Sequence, residues 1–259
     1  MAIGEVFANP TVVRVIFQVR FPNLFTMENL IGEYQTKIME RFPESQLGIR
    51  RNVLIADFGP EGFPAGFPDD SQAAPVGKIW SFTSPEGVAL NVQNDSLDIS
   101  SKTHKTYNNK DAPYRFRDMI QYALDRFLAV AKIPLIHRIG LRYVDDCPIP
   151  ARTNDAFAAW YKTAFPLARF PMPDIDEMHF RTCVKRGDHF VRYAESLSQE
   201  AGRWKYTIDS DAFAVRIPAV DYLKVTDALH DLLVAEYEAS IQQPVYDHMR
   251  QPKIPEKST

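Results

Sequence analysis

Residues 11–21 (TVVRVIFQVRF) set Val13, Val15, Phe17 and Val19 in alternation with Arg14, Ile16, Gln18 and Arg20. A period of two in β-branched and aromatic residues predicts a half-buried strand. The period then changes. From Met27 to Phe42 the apolar positions Leu30, Ile31, Tyr34, Ile38 and Phe42 keep helical spacing, with Thr26 placed as N-cap and Pro43 as the stop. Short strands are expected at 52–58, 78–84, 88–93 and 96–104, the middle ones separated by the turn residues Ser84-Pro85-Glu86-Gly87 and Asn94-Asp95. Residues 114–131 form an amphipathic helix with Phe116, Ile120, Leu124, Phe127 and Leu128 on one side, and Pro134 closes this half.

The same order then recurs. A strand is expected at 136–144, a short helix at 155–165, strands at 178–185, 189–196 and 204–213, and a long helix from 219 to about 243. The apolar face of that helix is Leu223, Leu229, Leu232, Leu233 and Tyr237. The chain therefore reads as α+β, built of two similarly ordered halves, 1–134 and 135–259, in one compact unit. Each half runs strand, helix, antiparallel strands, long helix. Two antiparallel sheets, each gripping its last helix, can join edge to edge into one saddle-like sheet with helices on one face, as in TATA-binding-protein-like folds. That analogy constrains shape and leaves function open.

Composition narrows the function classes. With 45% hydrophobic and 24% charged residues in 259, a packed core is expected throughout. A net charge of −3 supplies no global field for a polyanion. The most apolar stretch, 127–136, is interrupted by Lys132 and Pro134 and is about half the ~20 residues of a membrane span. The opening MAIGEVFANP lacks the basic start and apolar run of a secretion signal, and Cys147 and Cys183 alone make no disulfide framework. A cytoplasmic protein with no membrane partner is expected.

Candidate chemistry is sparse. Alternation puts Arg138, Gly140 and Arg142 on one strand face, and Asp209 and Asp211 on one face of a later strand. Forked guanidinium donors beside a glycine suit a carboxylate or phosphate ligand, whereas pairing of the arginines with the two aspartates makes a structural ion-pair network, the favoured reading. The weaker alternative is Mg²⁺ or Ca²⁺ on Asp209 and Asp211, which would have to recruit Asp145 or Asp146. His179 and Cys183 share a strand face, but four residues of strand separate them by about 13 Å, too far for a nucleophile and its base; Cys183 is expected as a buried small side chain. No catalytic residue, metal site or cofactor is proposed. Residues 59–77 (GPEGFPAGFPDDSQAAPVG) carry four glycines and four prolines with Phe63 and Phe67 on a doubled Gly-Phe-Pro, a loop suited to docking a protein partner. The last residues, 250–257, read as a mixed-charge terminus.

Taken together, residues 10–22 (PTVVRVIFQVRFP), the Trp80 strand, 96–107 running into Tyr114-Arg115-Phe116, His137-Arg138-Ile139-Gly140-Leu141-Arg142-Tyr143-Val144, Ile208-Asp209-Ser210-Asp211 and the closing helix into Tyr237-Glu238 resemble a known pattern. It is that of a sporadically distributed prokaryotic family of unassigned function, marked by an R-I-G-L-R-Y-x-N strand near its middle. The chain departs from the pattern at Asp145, where the family has asparagine. The resemblance implies a bacterial or archaeal protein from variable genomic regions such as antiviral loci, and carries no catalytic residues with it. The resulting expectation is a non-enzymatic interaction or regulatory accessory protein of an antiviral-defence, CRISPR-linked or mobile-element operon, with another protein as partner. Nucleic-acid binding through the sheet and a small-ligand site or hydrolase at Arg138, Arg142, Asp209 and Asp211 are the alternatives.

Overall fold

A computed structural model describes residues 7–50, 77–108, 114–200 and 202–252. The expected loop anchors Phe63 and Phe67, and the expected strand at 52–58, lie outside the described residues.

The first strand of each half occupies the middle of the molecule. β1 (Val12–Arg20) pairs antiparallel with β6 (Leu135–Cys147), setting Val15, Phe17 and Val19 opposite Tyr143, Leu141 and Ile139. From that seam the sheet grows outward both ways. On one side follow β5 (Ser96–Ser101), β4 (Ala89–Val92), β3 (Gly77–Thr83) and β2 (Glu44–Arg50); on the other, β9 (Arg203–Pro218), β8 (His189–Glu200) and β7 (Met178–Arg186). All nine strands are antiparallel to their neighbours, and each half places its last strand next to its first.

Helices cover one face, so one side chain in two along the central strands is buried. α2 (Phe116–Ala131) packs on α1 (Met27–Ile38), and α4 (Tyr222–Ser240) lies across β6 and β9. On β9 the positions beneath α4 are small, Ser210, Ala212 and Ala214, which lets the helix approach the sheet closely. A principal core joins β1, β5, β6, α1, α2 and α4 through Phe17, Tyr34, Leu97, Phe127, Leu141 and Leu229. A second core, containing Phe157, Tyr161, Tyr206 and Val245, packs the far ends of β6, β8 and β9 under α3 (Asn154–Trp160) and α5 (Gln243–Arg250).

Four features depart from the sequence reading. β2 was not anticipated, because on this edge strand Leu47 is 57% exposed and the residues before it, Glu44, Ser45 and Gln46, are polar. The long C-terminal helix ends at Ser240: Ile241 bridges to Tyr161 and the Gln242 N–H donates to Trp160 O, so the chain turns before resuming as α5. Val13 does not face the core. A bulge between Val12 and Arg14 inserts it as an extra residue, 40% exposed, and turns Val12 and Thr11 to the helix side instead. Cys183 is exposed on edge strand β7, and the buried thiol is Cys147. Among the described residues no helix is long and apolar enough to cross a membrane.

Phe17 is fully buried in the seam. Phe17→Ala is expected to cost about 3–5 kcal/mol of stability, measured by chemical denaturation, with no change in the oligomeric state of the folded fraction.

Candidate functional site

The two cores do not merge completely. Where they meet, beneath α4, lies a cavity of about 110 Å³. Leu233 of the principal core and Met249 of the second both line it, and Phe7 and Pro10 of the N-terminal segment complete the apolar wall. Segment and α5 are clasped together: the Asn9 N–H donates to Met249 O at 2.9 Å, the Asn9 amide meets His248 Nε2 at 3.0 Å, and Phe7 packs on Tyr246.

Polar groups converge on this apolar space from three elements. β6 supplies Tyr143 and Asp145, β9 supplies Ser210, and α4 supplies His230 and Tyr237. Tyr143 and Ser210 are directly opposite across β6 and β9, and Asp145 is the diagonal neighbour of Ser210, about 7–8 Å away by strand geometry. The Ser210 hydroxyl is buried and, among the described residues, has no hydrogen-bond partner. Buried hydroxyls are normally satisfied, and leaving one unpaired costs about 1–3 kcal/mol.

Asp145 is 3% exposed. Its carboxylate accepts a 2.8 Å bond from the Thr11 hydroxyl, and Tyr237 meets the same hydroxyl at 2.6 Å. No ion pair of the described residues includes it. Burial therefore raises its pKa to about 7, against the lowering effect of the Thr11 bond and with a further push from Asp209. The contrast with Glu195 is instructive. That side chain is equally buried but accepts bonds from the Tyr206 hydroxyl, the Ala164 N–H and the Thr163 hydroxyl, a saturated structural site.

The opposite wall is held rigid by a second network. The Tyr107 N–H donates to the Tyr143 hydroxyl at 3.1 Å, which leaves that hydroxyl's proton for His230 Nδ1, also at 3.1 Å. Burial lowers the pKa of His230, so the ring is neutral and this contact selects the Nε2-protonated tautomer. Tyr107 stacks on His230 and donates its hydroxyl to Asp227, which is gripped from the other side by a bidentate Arg117 at 2.7 and 2.8 Å.

The residues singled out in the sequence are elsewhere. Arg138, Arg142, Asp209 and Asp211 lie together on the open face of the sheet, away from α4. The structure pairs Arg142 Nε with Asp209 Oδ1 at 2.7 Å and Arg138 Nη2 with Asp211 at 2.6 Å, with Arg192 3.4 Å from Asp211. These bonds run diagonally, since Arg142 is directly opposite Asp211 in register. Gly140 has a local explanation: a Cβ there would stand 2.7 Å from Arg138 Nη1, so the missing side chain makes room for Arg138 to fold over the strand toward Asp211 and the Phe213 ring. Asp145 faces the helices and cannot join Asp209 and Asp211 in a cation site, and no group of metal-binding side chains occurs among the described residues.

His230 carried no signal in the sequence, and Ser210 and Thr11 entered only as members of longer strand stretches, with no role of their own. A serine or threonine in a strand is unremarkable until its neighbours are known. Asp145 was visible as a departure from a family pattern, but its burial depends on the Val13 bulge and on α5, neither of which was foreseen.

Comparison with known family profiles gives no match, and comparison with curated proteins gives none. Among solved structures, the crystal structure of DynU16, a protein in the dynemicin biosynthetic locus, aligns over 88% of this chain and 99% of its own, at 10% identity and a TM-score of 0.16. A superposition of that quality carries no statement about shared fold or function.

Two outcomes follow from this geometry. Gly140→Ala is expected to displace the Arg138 guanidinium and cost no more than about 1 kcal/mol, since the clash falls on the end of a long side chain and the pair is partly solvated; thermal denaturation measures it. Asp145 binds its proton more tightly folded than unfolded, so its contribution to stability falls as pH rises from about 4 to 7 and is flat above. The stability of Asp145→Asn relative to the parent is therefore expected to increase across that window, by an amount on the order of a few kcal/mol, in denaturation curves taken at pH 4.5, 6 and 8.

Proposed function

We propose that this chain is a binding protein that takes a small, predominantly apolar ligand with a polar end into the cavity beneath α4. The observation that carries this reading is the buried Ser210 hydroxyl, without a partner among the described residues, in the wall of a largely apolar space. Ligand sites combine such apolar linings with a few convergent polar groups, and a ligand hydrogen bond removes the cost of the orphan hydroxyl. At about 110 Å³ the cavity is smaller than the ~150 Å³ that takes in benzene, so it suits a small one-ring molecule only in part, the remainder lying at the rim.

An accessory role beside a protein partner is part of the proposal, and the open face of the sheet supports a surface for it. There the Phe213 ring stacks on Phe190 and carries Arg138 and Arg192 over it, flanked by exposed Val215. Arginine and aromatic side chains are the common anchors of protein interfaces. Asp209 and Asp211 neutralise arginines on the same face, which favours a protein over a nucleic acid. Placement in the cytoplasm, in a defence-associated or mobile operon, rests on the sequence reading; the neighbouring genes test it.

In ligand-observed NMR, benzyl alcohol and indole are expected to show saturation transfer from the parent protein. The signal should be lost in Val234→Trp, which fills the cavity from its rim. Equal signals from parent and variant would remove the cavity as the binding site.

A further inference from the structure

We propose that the ligand of this cavity is an organic amine, bound as its ammonium ion with Asp145 as counter-ion. This rests on the cavity being a ligand site at all and adds the class of molecule it selects.

The first support is charge. A carboxylate taken out of water needs a compensating cation or several hydrogen-bond donors, and among the described residues Asp145 has neither beyond the Thr11 hydroxyl. Glu195 shows how this chain satisfies a buried acid when the role is structural. Asp145 is left short of donors at the wall of a space where a ligand can supply them.

The second support is the shape of the polar set. The same space is lined by the hydroxyl oxygens of Ser210 and Tyr237, each able to accept a hydrogen bond, so an ammonium with two or three N–H groups finds acceptors beyond the carboxylate. A carboxylic acid or phosphate would meet like charge at Asp145, and the cationic Lys105 of the lining directs its Nζ to Lys102 O. The third is the ring lining. Tyr143, Tyr237 and Phe7 line the same space, and the faces of such rings attract a desolvated cation.

The charged and titratable groups that face the site set its pH response. From β6 come Asp145 and Tyr143, from α4 His230 and Tyr237, and from the β5–α2 connection Lys105, whose Nζ donates to Lys102 O at 2.9 Å. Burial pushes the tyrosine hydroxyls up and His230 down, so these three are neutral around pH 7. Asp145 is the group that changes charge there, ionising through about 7 in the empty protein. Amine affinity therefore weakens as acid protonates the carboxyl.

The test is calorimetric titration of the full chain with benzylamine, benzyl alcohol and benzoate, which share a ring and differ in charge. Benzylamine is expected to bind at least about tenfold more tightly than benzyl alcohol at pH 8 and to weaken about tenfold at pH 6, following the titration of one acid. Asp145→Asn should abolish the preference and the pH response while still binding benzyl alcohol, which shows that its cavity is intact. Should that variant not fold, the pH profile of the parent decides alone. Benzylamine and benzyl alcohol binding equally, benzoate binding best, or a flat pH profile would each overturn the amine assignment while leaving the cavity a ligand site. Absence of binding by all three would overturn the cavity reading, and the amine assignment with it.

Discussion

The pairing of β1 with β6 is the contact on which the rest of the molecule depends. It sets the opening strand of one half against the opening strand of the other and buries Val15, Phe17 and Val19 with Tyr143, Leu141 and Ile139. Because each half then builds outward from its own first strand, the seam decides where both helix layers lie. It also leaves the two sheet edges at β2 and β7, the strands with the least buried side chains. The seam ends at the Val13 bulge, and there the chain switches from packing a core to lining a cavity.

That switch explains why a carboxyl group can sit where Asp145 does. Between the principal core and the second core the helices diverge: α4 follows the sheet, while α5 turns away at Gln242 to cover the far end. The remaining gap is apolar in its walls, and its floor is the strand pair on which Tyr143, Asp145 and Ser210 project. Rigidity comes from outside the gap, through the Arg117–Asp227–Tyr107–His230–Tyr143 series, which binds the β5–α2 connection to α4 and β6. The same groups appear again on the open face in a different balance: Arg138 and Arg142 find acids on the adjacent strand, so charge is compensated there and not at Asp145.

Much of the architecture was legible in the amino-acid order. The period of two at 12–20, the helical spacing at 116–131 and the recurrence of strand, helix, strands and long helix all reflect one-sided burial, which leaves a periodic trace. Edge strand β2 left none because little of it is buried. The Arg138, Arg142, Asp209 and Asp211 group was legible for the same reason, since alternation alone puts each pair on a common face. The cavity was not. Its parts come from positions 7–12, 105–106, 143–145, 210, 230–237 and 249, and what brings them together is packing in three dimensions, which leaves no local pattern.

The clasp at the cavity mouth has a kinetic meaning. Asn9 and His248 are separated by 239 positions, so joining them closes nearly the longest loop this chain can make. Loop closure of that span is entropically unfavourable until the intervening sheet already exists. Closing this side of the cavity is therefore favoured only once both cores have formed. By the same reasoning its cover is among the first contacts to open in the native state, and amide exchange at Asn9 would run ahead of exchange in the β1–β6 seam a few residues away.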